Sequence, residues 1–166
     1  MKKLLPLLLV FLGPILLAQE NSENDKFDIL KQIITSEEFE FRAYSGSSVG
    51  GSTQDLLPHQ NFLLSHDGTI KVMLDFFGSS QTITSYSGVS SDEIKFDGSP
   101  LKYRLKIDNK RKQVIVKFSG NNGSETLNFT FKIKEDRTGQ LSVNSSGRSN
   151  IRYYGVLNPI KTSKSK

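Results

Sequence analysis

His59 and His66 are the only histidines in this chain, and it has no cysteine. They are the side chains best suited to move protons near neutral pH. His59 follows Leu57-Pro58 in a loop, and His66 opens the turn His66-Asp67-Gly68. A hydrolase would need a serine within hydrogen-bond reach of one of them. Serine is abundant, but abundance is not geometry, and no G-x-S-x-G elbow is present. His59, His66 and Asp67 do not fall at zinc-ligand spacing, and no calcium-loop run of acids occurs. Asp92 and Glu93 are adjacent, so on a strand they point to opposite faces and cannot work as a carboxylate pair. No glycine-rich phosphate cradle precedes a helix. The inventory predicts no metal, no cofactor and no catalytic residues.

Aromatic side chains are the larger resource. Phe76-Phe77 and Tyr153-Tyr154 are consecutive pairs. On a strand, one member of each faces the core and the other the opposite side. Tyr153 shares its alternation with Ile151, which makes Tyr153 the buried member and Tyr154 the exposed one. The ligand-binding candidates are therefore Phe77 and Tyr154, where a spare aromatic could line a groove, with Arg148 in the turn as a possible anion contact.

These residues need a scaffold, and the apolar pattern supplies one. Phe27, Leu30, Ile33 and Ile34 form one stripe of a short helix, capped by Asn24 or Asp25 and ending near Ser36. From Glu38 the period changes to 2. Phe39, Phe41 and Ala43 alternate with Glu40 and Arg42, and Ser45 to Ser52 reads as a loop. Asp67-Gly68 predicts a hairpin between Asn61–Ser65 and Thr69–Phe77. Gly78 to Asp92 reads as a long polar loop with room for a short strand. Four further alternating arms follow, led by Tyr103-Leu105-Ile107, Val114-Val116-Phe118, Leu127-Phe129-Phe131-Ile133 and Leu141-Val143. Short polar links make consecutive arms antiparallel. The hairpin from Leu141 to Gly155 reads as the closing edge of the sheet. The fold class is mainly β: an antiparallel meander of about eight or nine strands, as an open barrel or sandwich, with a short N-terminal helix.

The ends divide differently. Lys2 and Lys3 precede an apolar run from Leu4 to Leu17, and Ala18 offers a cleavage point. This is the layout of a secretory signal peptide and is short for a membrane span. The divisions are residues 1–18 as signal peptide, 19–26 as polar linker, 27–157 as one β-rich domain and 158–166 as a basic tail. The expected location is the periplasm or the medium, without a membrane anchor after cleavage. The formal charge of +5 is mild and is no signature of nucleic-acid binding.

The order of elements resembles an exported Bacteroidetes family, domain of unknown function 4251. Phe39, Phe41 and Ala43 fit its F-x-F-x-A strand. Arg148, Ser149, Ile151, Tyr153 and Gly155 fit its terminal R-S-x-I-x-Y-x-G element. Leu74-Asp75-Phe76-Phe77-Gly78 stands at the central L-P-Y-x-G-like element, with Asp75 and Phe76 in place of proline and tyrosine. The resemblance spans roughly Ser36 to Leu157 by element order. It implies export and a β fold, and it carries no catalytic residues. The expectation is an exported, non-enzymatic β domain that binds a small ligand or a protein. A lipocalin-like carrier of a small apolar ligand is the alternative, and a hydrolase ranks third.

Overall fold

The structure is a computed structural model and describes residues 25–48, 50–51, 53–78, 93–123 and 125–160. The stretch read as a signal peptide, residues 161–166 of the tail and residues 79–92 of the expected polar loop lie outside the described residues. Helix α1 covers 25–35. It is followed by β1 (Phe39–Ser48), β2 (Thr53–Asp55), β3 (Phe62–His66), β4 (Thr69–Asp75) and β5 (Glu93–Gly98). Then come β6 (Leu101–Asp108), β7 (Gln113–Asn121), β8 (Thr126–Lys134), β9 (Thr138–Ser145) and β10 (Ile151–Pro159). Nine strands run in the order β5-β4-β3-β1-β10-β9-β8-β7-β6, and β2 pairs with β1 outside that path. All pairings are antiparallel. The single sheet curls into a half-barrel, so the open-barrel expectation holds and a two-sheet sandwich does not.

Two local expectations are corrected. The hairpin of β9 and β10 is not an edge. β10 lies between β9 and β1, because the first strand pairs with the last, Phe41 opposite Leu157. Among the described residues, the edges are β5 and β6. The stretch from Ser45 is not all loop either. β1 continues to Ser48 through a register shift between Ala43 and Ser45, and β2 pairs there. The extra residue reverses the alternation, so Gly46 rather than Ser45 is buried. Small polar residues hid a strand whose ladder is made by backbone alone.

The β3–β4 turn and the helix stripe agree with the pattern. Asp67 (φ 48°) and Gly68 (φ 70°) both take left-handed conformations, as a two-residue hairpin turn between twisted strands requires. The helix stripe is buried at Phe27, Leu30 and Ile34. One face of the sheet is a continuous core. Its rows cross the strands in register, as in Leu105, Val116, Phe131, Leu141, Tyr153 and Gly46. Phe39 and Phe41 pack on Phe131, and Phe96 and Phe118 on Phe129. Helix and sheet share one hydrophobic cluster. A chain without disulfides depends on that burial for its stability.

Candidate functional site

The end of β4 is where polar groups converge. Asp75 closes that strand opposite Glu93 of β5. Its carboxylate accepts a hydrogen bond from Asn61 Nδ2 at 2.9 Å and lies 3.1 Å from His59 Nδ1. The Asp75 backbone N–H donates to Asn61 Oδ1 at 2.6 Å, so Asn61 clamps both ends of the residue. Asn61 is buried, whereas His59 is exposed. The pair joins a mobile-proton group to a fixed carboxylate at the rim of the sheet.

The residues after Asp75 are fastened by the β9–β10 connection and β10. Tyr153 Oη donates to the Asp75 carbonyl at 2.8 Å. The Tyr153 ring meets Phe77 edge-on at 6.1 Å between centroids. Burial raises the Tyr153 phenol well above its ordinary pKa, with the Asp75 carboxylate adding to the rise and Arg148 opposing it. The hydroxyl is therefore a permanent donor. The Arg148 guanidinium lies over the Phe76 ring at 5.0 Å and donates from Nη1 to the Glu93 carbonyl at 3.1 Å. Its Nη2 pairs with Glu125 at 3.1 Å, both side chains being largely buried. Ser145 Oγ and Asn122 Nδ2 donate to the same carboxylate. A buried charge pair tolerates its low-dielectric surroundings only with such added hydrogen bonds. Gly155 completes the arrangement. A Cβ there would lie 2.0 Å from the Arg42 carbonyl oxygen, so β1 and β10 approach as only glycine permits.

What this scaffold leaves open is a groove of about 550 Å³. It is lined by Gln54, Asp55 and Leu56, by His59 and Asp75, and by Phe76, Phe77 and Glu93. Three carboxylates, an imidazole and two aromatic rims line it. That set suits a small molecule carrying a cation beside an apolar body.

A second cluster lies at the β3–β4 turn. His66 Nδ1 is 2.6 Å from Glu38 Oε2 and its Nε2 is 3.2 Å from Asp67. The Asp67 N–H donates to Glu38 Oε1. Their ligand atoms lie within 4.8 Å of one another, close enough to surround a metal ion. The electrostatics favour a different state. The hydrogen bond to Glu38 and the charges of Asp67 and Glu38 raise the His66 pKa, and the same hydrogen bond lowers that of Glu38. These shifts favour the protonated imidazole, which donates from its two nitrogens to the two carboxylates.

With this geometry in view, the comparisons with known proteins become informative. The family model described as Domain of unknown function (DUF4251) matches residues 21–157. The chain belongs to that family. A crystal structure of a DUF4251 family protein from Bacteroides eggerthii is similar to it, with a TM-score of 0.63 at 18% identity. The match covers 84% of this chain and 91% of that one, and at that identity it shows the shared fold. Among curated proteins, nothing matches the chain. The DUF4251 elements read from the sequence meet in space. Arg148 and Tyr153 of the terminal element hold Asp75, Phe76 and Phe77 of the central one. They build a scaffold as well as a surface.

The three binding candidates therefore separate. Phe77 is half-buried on Tyr153 and lines the groove. Arg148 lies beneath it, occupied by Phe76, Glu93 and Glu125. Tyr154 lies on the other face of β10, half-buried, opposite Gln140 and Ser45. Asp75 and Asn61 escaped the sequence reading, and His59 was weighed there only as a loop histidine without a partner.

Proposed function

We propose that this DUF4251 protein is an exported domain that acts by binding, and that its site is the groove at the end of β4. The carrying observation is the convergence of Asp55, Asp75 and Glu93 with His59, Phe76 and Phe77 around an open volume. The ligand class this favours is a small organic amine: carboxylates face the cation and the ring edges face its apolar part. A binding role is supported by the polar contacts of His59, which among the described residues meets the Asp75 carboxylate. A site outside the core, rather than a carrier's interior, is supported by the fully buried Phe39, Phe41, Phe129, Phe131 and Leu30. These side chains occupy the concave side themselves. Export rests on the signal layout of residues 1–18.

The test is a calorimetric titration with benzylamine, benzyl alcohol and benzoate. Benzylamine should bind with a dissociation constant of about 1 mM or tighter, benzyl alcohol more weakly and benzoate least. Asp75→Asn should weaken benzylamine selectively. Equal binding of the amine and benzoate, or no response to the substitution, would remove the groove as a cation site.

A further inference from the structure

At the far edge of the half-barrel, β6 presents an unfinished surface. It ends the strand order, and among the described residues its outer side has no strand partner. Such an edge carries a row of unpaired N–H and C=O groups. Its two faces are unlike each other. Leu105 and Ile107 stand opposite the buried Val116 and Val114, so they continue the rows of the core face. Yet Leu105 is 38% and Ile107 40% exposed. The core face of the sheet therefore runs on past its last covered strand.

The other face is cationic. Arg104 stands directly opposite Lys117, and Lys106 is opposite Ile115, whose next neighbour in the row is Lys132. All four basic side chains are exposed. Like charges placed opposite one another on a sheet are destabilising. Among the described residues, Arg104, Lys106 and Lys117 make no ion pair within 4 Å. The acid on this face of β6, Asp108, ends the strand. Its carboxylate accepts from the Arg111 N–H and Gln113, and Lys106 adds to the forces lowering its pKa.

Edge lysines commonly serve to prevent aggregation. That reading explains the cations but not an exposed apolar row on the same strand. A second copy of the chain is disfavoured, because antiparallel pairing of β6 with itself sets cations against cations. A lipid surface is disfavoured as well, because unpaired backbone groups are costly in hydrocarbon. We propose that β6 is a docking edge for an extended segment of a partner protein, with acidic side chains alternating with apolar ones. The added strand would pair with the free backbone, lay its apolar side chains beside Leu105 and Ile107, and set its carboxylates against Arg104, Lys106 and Lys117.

The experiment uses three labelled eight-residue peptides with the whole chain. One alternates Glu and Val, one alternates Lys and Val, and one has the Glu/Val composition with two central prolines added. Fluorescence anisotropy gives affinity, and amide hydrogen exchange locates the contact on the unaltered protein. The Glu/Val peptide should bind at least tenfold tighter than either control and slow exchange in Leu101–Asp108. Leu105→Thr with Ile107→Thr, and separately Arg104→Glu with Lys106→Glu, should each weaken it tenfold or more. Equal binding of the proline peptide would mean that charge alone attracts it, and the docking strand would be refuted. Absence of exchange protection in β6 would refute it independently of any variant.

Discussion

Replacing Tyr153 by alanine should be among the most damaging single changes in this domain. The side chain is fully buried. Deleting a buried aromatic costs about 3–5 kcal/mol in lost transfer energy and cavity formation. The same change strips the Asp75 carbonyl of its 2.8 Å hydrogen bond, which adds about 1 kcal/mol. Truncation therefore removes about 4–6 kcal/mol from a domain whose total stability is typically about 5–15 kcal/mol. Tyr153→Phe keeps the ring against Phe77 and loses only the hydroxyl, costing about 1–3 kcal/mol through the unsatisfied carbonyl. Tyr154→Ala touches the half-exposed face and should cost less than about 1.5 kcal/mol. Urea melts followed by circular dichroism give all three values from midpoints at constant slope. A Tyr154→Ala loss equal to that of Tyr153→Ala would refute the register of β10 and the anchoring role assigned to the tyrosine.

Arg148→Ala leaves Glu125 buried without its cation and should cost about 3–5 kcal/mol, whereas Arg148→Met with Glu125→Leu should cost much less. Additive losses in that melt comparison would show that the pair is not coupled. Gly155→Ala places a methyl group against the Arg42 carbonyl and should cost about 3 kcal/mol or more, and an unchanged thermal midpoint would contradict the close approach of β1 and β10. His66 and Glu38 give a pH signature. The raised His66 pKa contributes stability that is complete below about 6.5 and is lost as pH rises through the higher folded value. The lowered Glu38 pKa contributes above about 4.5 and is lost as pH falls through the lower folded value. The midpoint difference between wild type and His66→Asn should therefore be largest between about pH 4.5 and 6.5 and fall above it. A difference independent of pH would eliminate the charged pair.

The fold was legible wherever one face of a strand is apolar. Phe39-Phe41-Ala43 and Leu127-Phe129-Phe131-Ile133 mark their own strands because burial demands strict alternation. β2 and the end of β1 were not legible, since Ser47, Ser48 and Gln54 bring hydrogen bonds to the ladder but no apolar signal. The central position of β10 was hidden for another reason. Pairing of the first and last strands is a long-range property that no local pattern records. β6 shows the converse failure. Tyr103, Leu105 and Ile107 alternate like core residues, yet the strand is an edge and two of the three are exposed. Phe77 was singled out on the ground that paired aromatics on a strand divide between faces, but β4 ends at Asp75, and Phe76 and Phe77 both pack against the core and both line the groove. The hairpin read at Asp67-Gly68 already brings Asn61 beside Asp75, but single polar residues at the end of an apolar strand carry no pattern that marks a contact, and the loop that turns His59 toward Asp75 has none either.

The groove itself is tested most directly by mapping benzylamine onto the backbone with amide nuclear magnetic resonance. The amides of Gln54–Leu56, His59, Asp75–Phe77 and Glu93 should shift together along one saturating curve, while those of Tyr154 and Gln140 on the opposite face stay fixed. Shifts scattered over the cationic face of β6 to β8, or absent from Asp75 and its neighbours at saturation, would contradict the account.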